Sequence, residues 1–223
     1  MFISRVGLQR EGTSHRALAA QLGRNAERDC GHALVSMLFP RESARSFIWR
    51  EENDARFRAI VVSPREPMDE LGIFETMTKR YDPHLNEGET LTFSLRANPV
   101  VRRRDEHGRL HKHDVAMHAI RSMDEETRQL ARWDAAREAV WKWLIAQGVR
   151  HGFAPVKEAF ALLGSARRQV ERGAGRDVAK FTAFDISGSM VVRDAAALCR
   201  ALGSGIGSSR AYGCGLLLVR RPP

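Results

Sequence analysis

Cysteine, tyrosine and lysine are scarce in this sequence, and long apolar runs are absent. The three cysteines, Cys30, Cys199 and Cys214, lie far apart and form no C-x-x-C pair. An odd, unclustered set argues against a disulfide framework and a structural zinc site, and it makes a reducing, cytoplasmic setting the default expectation. No apolar stretch approaches the ~20 residues needed to cross a bilayer, and the N-terminus has no signal-peptide core. No G-K-[ST] occurs, which removes a P-loop.

The 223 residues suit one large domain or two of roughly 100 residues each. Their 43% hydrophobic content is enough for a core. The formal net charge is +9, and only 5 of the 36 basic side chains are lysine. Arginine presents a planar fork that suits phosphate oxygens, so the excess points to nucleic acid, with codon bias as the plain alternative. Four of the eight histidines (His107, His111, His113 and His118) crowd around Asp114. They sit in a polar, arginine-rich stretch with a turn at Glu106-His107-Gly108, which reads as a histidine-bearing loop. Neither a metal nor a cofactor is expected.

Residues 1–8 (MFISRVGL) alternate apolar and polar and predict a strand. Residues 15–22 are helix-like, and Asn25 can cap a second helical run at 26–39, ended by Pro40. Residues 46–50 and 57–63 read as a strand pair, Pro64 and Pro67 break the chain, and 90–97 (TLTFSLRA) is another alternating strand. A second unit follows. Val100–Arg104 is extended, and a basic hairpin-like turn runs on through Lys112. Residues 125–147 predict the longest helix, with Leu130, Trp133, Ala136, Val140, Trp141 and Leu144 at helical spacing and Gly148 as its stop. Residues 167–172 and 178–186 read as a hairpin around Gly173-Ala174-Gly175. Asp194 can cap a helix at 195–202, and 216–219 closes as a strand. The expected class is α+β: two tandem ferredoxin-like domains with antiparallel sheets, at 1–97 and 98–223.

Residues 203–215 (GSGIGSSRAYGCG) are the most unusual stretch. Glycine lets a phosphate or another backbone approach main-chain N–H groups closely. A dinucleotide loop follows a strand and opens a helix, whereas here a helix precedes and a strand follows, so that reading fails. A tight helix-to-strand connection explains the glycines alone; Arg210 and Tyr212 add the expectation of an RNA contact, with Gly205 and Gly207 alongside.

Residues 205–217 (GIGSSRAYGCGLL) resemble the C-terminal glycine-rich signature of the CasE-type CRISPR RNA-processing endoribonucleases of the type I-E system. The start MFISRV resembles that family's first strand, and Leu95-Arg96-Ala97-Asn98-Pro99 matches its L-R-A-N-P segment. His32, with Phe39 and Pro40, matches an H-x6-F-P pattern at the family's catalytic histidine. The resemblance implies two ferredoxin-like domains that bind a CRISPR repeat stem-loop. It implies a cut at the 3′ base of the stem without a metal ion, by a protein that stays with the guide RNA among the other Cascade subunits.

Metal-free RNA cleavage can use the ribose 2′-OH as nucleophile, leaving a 2′,3′-cyclic phosphate and a 5′-OH. It needs a base, an acid and groups that stabilise the phosphorane charge. Histidine suits proton transfer because its pKa lies near ~6.5. Asp29 stands where some relatives carry an assisting tyrosine, so that role does not transfer; Asp29 is expected to orient His32 and stabilise its protonated form. Arg45 is the first candidate for charge stabilisation and Arg210 the second. Arg167, Arg168, Arg172, Arg176 and Lys180, against Glu171 and Asp177, give the 167–180 hairpin a net +3, and the family places a basic hairpin at the base of the stem. Arg102, Arg103, Arg104, Arg109 and Lys112 form a second basic stretch suited to phosphates. An RNA-binding subunit without activity and an unrelated ferredoxin-like protein are the alternatives.

Overall fold

The structure, a computed structural model, describes residues 1–9, 31–40, 46–52, 56–104, 106–121, 125–172 and 177–222. Strands β1 (Phe2–Leu8), β2 (Ile48–Glu51), β3 (Arg58–Ser63) and β4 (Phe74–Arg80) form an antiparallel sheet in the order β2-β3-β1-β4. The period-two alternation of a strand gives each face its own core. Val6, Trp49, Ala59 and Val61 pack against helix α1 (Gly31–Met37), which contributes Leu34 and Val35, with Leu38 just beyond its end. On the opposite face, Ile3, Ile48, Ile60 and Val62 meet Leu216 and Leu218 of the C-terminal unit.

That unit begins earlier than the sequence suggests. Strand β5 (Thr90–Ala97), expected to complete the first sheet, pairs instead with β10 (Asp177–Val192) and β11 (Leu217–Arg220). The second sheet runs β11-β5-β10-β8, with β8 at Phe153–Pro155 and β9 (Ala161–Arg172) also on β10. Taking β5 as its first strand gives the spatial order 4-1-3-2, the order that β1–β4 also follow, so both units have the ferredoxin-like arrangement. The correction moves the start of the second unit from residue 98 to before Thr90. The apolar alternation of TLTFSLRA fixes which side chains are buried, not which strand lies alongside. The fourth place in the first sheet belongs to β4, whose residues 75–80 are all exposed and so leave no apolar alternation to read. Val100–Arg104 is likewise not a strand of either larger sheet: as β6 it pairs, among the described residues, only with β7 (Leu110–Asp114), in a separate two-stranded ribbon.

Helix α2 (Val115–Arg121) follows, then the long α3 (Glu125–His151) and, after the strands, α4 (Ala195–Ser204). Ala136, Val140, Trp141 and Leu144 of α3 are buried with Leu91, Phe93, Leu95, Ile186, Met190, Leu198 and Leu202, whereas Trp133, expected on the same face, is 45% exposed. Gly148 does not stop α3. A side chain there would meet the Phe153 carbonyl at 2.3 Å, so this glycine admits the strand that follows, and the helix ends at Gly152 with φ +78°. Asp194 caps α4 as expected, its carboxylate accepting from the Ala197 amide at 2.8 Å. No described helix is long and apolar enough to cross a membrane.

Leu216 is fully buried where the two sheets meet. Leu216→Ala is expected to cost about 2–5 kcal/mol of unfolding free energy in a urea titration. A midpoint equal to that of the parent would contradict the packing of one sheet upon the other.

Candidate active site and nucleic-acid interface

His32 is the second residue of α1 and half-buried. The Ser36 hydroxyl donates to its carbonyl at 2.7 Å. Its ring leans on Phe47, centroids 5.6 Å apart, and Phe47 stacks on Phe39 at 5.0 Å. The phenylalanine of H-x6-F-P therefore braces the histidine through a second aromatic ring. Asp29, Arg45 and Arg176 lie outside the described residues, as do the predicted helical residues 15–22 and the Asn25 cap.

Beside Gly31, the residue before His32, lies Trp49 of β2. A side chain at Gly31 would meet the indole at 2.3 Å, and one at Gly213 would meet the same ring at 3.4 Å. The indole N–H donates to the Ala211 carbonyl at 3.2 Å. Ala211 belongs to a single 3-10 turn, Arg210–Tyr212, entered through Ser209 at φ +56° and left through Gly213 at φ +74°. The glycine-rich stretch is thus a folded connection. Gly205 caps α4 and abuts Ile48, Gly207 abuts Trp143, and the Gly215 carbonyl accepts from the Ile206 amide at 2.9 Å. At Gly205 and Gly207 the space a side chain would take is filled by protein.

L-R-A-N-P meets this connection directly. Arg96 holds Asp185 through two bonds of 2.8 and 3.2 Å and donates to the Glu51 carbonyl at 3.2 Å. Its own carbonyl accepts from the Gly215 amide at 2.7 Å. Asn98 donates to the Ser209 hydroxyl at 2.7 Å and accepts from the Ser208 hydroxyl at 3.2 Å. Burial works against the Arg96 charge, but the bond to Asp185 and its negative charge outweigh it and raise the pKa. Nearby Arg50 is pushed down, first by burial and then by the Arg96 charge.

Among the described residues, 177–183 of β10 pair with β9 alone, since pairing with β5 starts at Phe184. At ~3.3 Å per residue the hairpin therefore extends about 20 Å past the sheet. Arg167 faces Thr182 and Lys180 faces Gln169 across the ribbon, which puts both on one exposed face. Arg168 points the other way, opposite Phe181, and lies 3.7 Å from Glu51; Phe181 in turn stacks on Tyr212 at 5.9 Å. Arg172 stands opposite Asp177 near the tip. On the separate ribbon Arg102 pairs with Lys112, Arg103 and Arg104 continue the same strand, and Arg109 is exposed in the turn. Asp114 accepts from the Ala116 and Met117 amides, both at 3.0 Å, and so starts α2. His113 and His118 lie edge to face at 6.1 Å. Among the described residues no group of His, Cys, Asp or Glu is arranged to hold a metal.

The sequence reading missed Trp49, Arg96 and Asn98 as parts of the site. A signal was there in Gly31, a glycine next to His32 within the predicted helical run 26–39, where such a residue lowers helix propensity and so points to a packing reason.

Arg210 donates to the Ser204 carbonyl at 2.9 Å and lies near His151, whose pKa is lowered by burial, then by Arg150, then by Arg210. The unfolded chain therefore takes up this proton first as the pH falls through 6.5, and stability drops in that range. By NMR titration His151 should have a midpoint below 6.5, and Arg210→Gln should raise it. An unmoved midpoint would put Arg210 elsewhere.

The structure resembles several solved ones along its whole length. It matches the CRISPR endoribonuclease Cse3 bound to a 19-nucleotide RNA with a TM-score of 0.67 and 20% identity, covering 98% of both chains. Thermus thermophilus Cse3, bound to an RNA representing a pre-cleavage complex, gives 0.66 at 21% identity, again over 98% of each chain. The CRISPR-associated protein Cas6e from Escherichia coli K-12 gives 0.56 at 22% identity over all of both chains. No curated protein sequence matches. A family model described as CRISPR associated protein covers residues 1–221, and the chain therefore belongs to that family of CRISPR-associated proteins.

Proposed function

We propose that this protein binds the stem-loop of a CRISPR repeat transcript and cuts it at the 3′ base of the stem without a metal ion, remaining on the guide RNA as a Cascade subunit. The observation that carries the reading is the whole-length likeness to RNA-bound Cse3, in a chain that has a histidine at the H-x6-F-P position. A further similar structure comes from a CRISPR RNA-guided surveillance complex, with a TM-score of 0.62 at 16% identity over all of both chains, which supports the assembly.

In the proposed reaction a base removes the 2′-OH proton, the 2′-oxygen bonds to phosphorus, the bond from phosphorus to the 5′-oxygen breaks, and an acid protonates that oxygen. His32 moves one of these protons, and Asp29 orients it. Arg45 or Arg210 stabilises the charge on phosphorus. The projecting 167–180 hairpin, with Arg167, Arg168, Arg172, Arg176 and Lys180, and the ribbon basic side chains Arg102, Arg103, Arg104, Arg109 and Lys112 grip the phosphates. Arg167 and Lys180 are the strongest hairpin candidates because they share its exposed face. A reducing, cytoplasmic setting belongs to the same reading.

Incubation with a repeat stem-loop in excess EDTA should give a single cut that His32→Ala abolishes while RNA affinity is retained. Tight binding without a cut would leave an inactive RNA-binding subunit, and neither binding nor cutting would overturn the reading. Arg167→Glu with Lys180→Glu should weaken binding and reduce the slope of log K against log salt by about 1 per lost phosphate contact. An unchanged slope would remove this face from the interface.

A further inference from the structure

One fully buried side chain lies between the helix that carries His32 and the turn that carries Arg210. Trp49 is 1% exposed. Its outer ring edge occupies the space a side chain at Gly31 would need: an added Cβ would sit 2.3 Å from Cη2 and 2.9 Å from Cζ3. Those two atoms are also the nearest to a Cβ at Gly213, at 3.4 and 3.5 Å. The same ring edge therefore meets two backbones, one adjoining His32 and one adjoining Tyr212. The indole N–H adds direction, donating to the Ala211 carbonyl at 3.2 Å.

Core packing alone would need neither the glycine at position 31 nor the directed N–H. An aliphatic side chain between two ordinary residues would fill the same volume, without fixing the distance between the backbones. A rigid indole with only two side-chain torsions sets that distance, and the N–H sets the rotation of the turn about it. Displacements of ~1 Å in a reacting geometry can cost about 100-fold in rate.

We infer that Trp49 is a positioning residue for the reaction, holding His32 in register with the Arg210–Tyr212 turn. The inference rests on the proposed cleavage by His32. Phenylalanine at this position keeps an aromatic ring but removes the N–H and the outer ring edge.

The test is single-turnover cleavage of a repeat stem-loop at saturating protein, with the dissociation constant, thermal midpoint and pH–rate profile measured alongside. Trp49→Phe should slow cleavage about 10- to 100-fold, keep affinity within about twofold, and leave the shape of the pH–rate profile intact, because His32 still carries the proton. Gly31→Ala should be more damaging in the parent than in the Trp49→Phe background, where the space it needs has been vacated. Gly213→Ala strains the turn at φ +74° where it touches the same ring edge, and should also lower the rate more than the affinity. Parental rates in Trp49→Phe would overturn the inference, as would rate, affinity and thermal midpoint falling together in both Trp49→Phe and Gly213→Ala. The His32→Ala control separates the two ideas, since cleavage at the parental rate in that variant would overturn the histidine assignment instead.

Discussion

The four residues of β2 join the two halves of the molecule, and Trp49 is the largest fully buried side chain among them. Ile48 reaches Leu216 across the sheet interface, Arg50 donates to the Ser94 hydroxyl at 2.8 Å, and the Glu51 carbonyl accepts from Arg96. The magnitudes rank these ties. The part-exposed contact of Arg168 with Glu51, at 3.7 Å, is of a kind worth about 0–1 kcal/mol. Truncation of a buried tryptophan costs about 3–5 kcal/mol. Packing therefore supplies the strength of the joint, and the hydrogen bonds of Arg50 to Ser94 and of Arg96 to the Glu51 carbonyl fix its alignment.

The joint explains why the two most distinctive sequence motifs occur together. L-R-A-N-P ends the first strand of the second sheet, and the glycine-rich stretch connects α4 to its last strand. More than a hundred residues apart in sequence, they touch through Asn98 with Ser208 and Ser209 and through Arg96 with Gly215. Their glycines let two backbones and an indole approach one another, and the polar groups that remain at the surface of the turn are carried by Arg210 and Tyr212. The arginine excess divides in the same way. Arg50 and Arg96 serve the joint, Arg168 leans back toward Glu51, and Arg167 with Lys180 is left on the outer face of the projecting hairpin.

Much of this was legible in the sequence, because alternating and helical periodicities report burial directly. β1, the β2–β3 pair, the basic hairpin and the Asp194 cap all follow from local pattern. What was not legible is partnership. TLTFSLRA is an alternating strand wherever it pairs, so its place in the second sheet depends on contacts with β10 and β11 that no local pattern encodes. FETMTKR, exposed along an edge, carries no apolar alternation at all. Gly148 has the sequence look of a helix stop but serves the approach of Phe153. At the site, His32 could be singled out by family resemblance, whereas Trp49 became visible only once Gly31 and Gly213 were seen against the same ring.

Mass spectrometry of the RNA ends released by the protein in excess EDTA tests the central claim most directly. The account predicts a 2′,3′-cyclic phosphate on the upstream fragment and a 5′-hydroxyl on the downstream one. A 3′-hydroxyl paired with a 5′-phosphate would contradict it, because that product requires attack by water rather than by the neighbouring ribose oxygen.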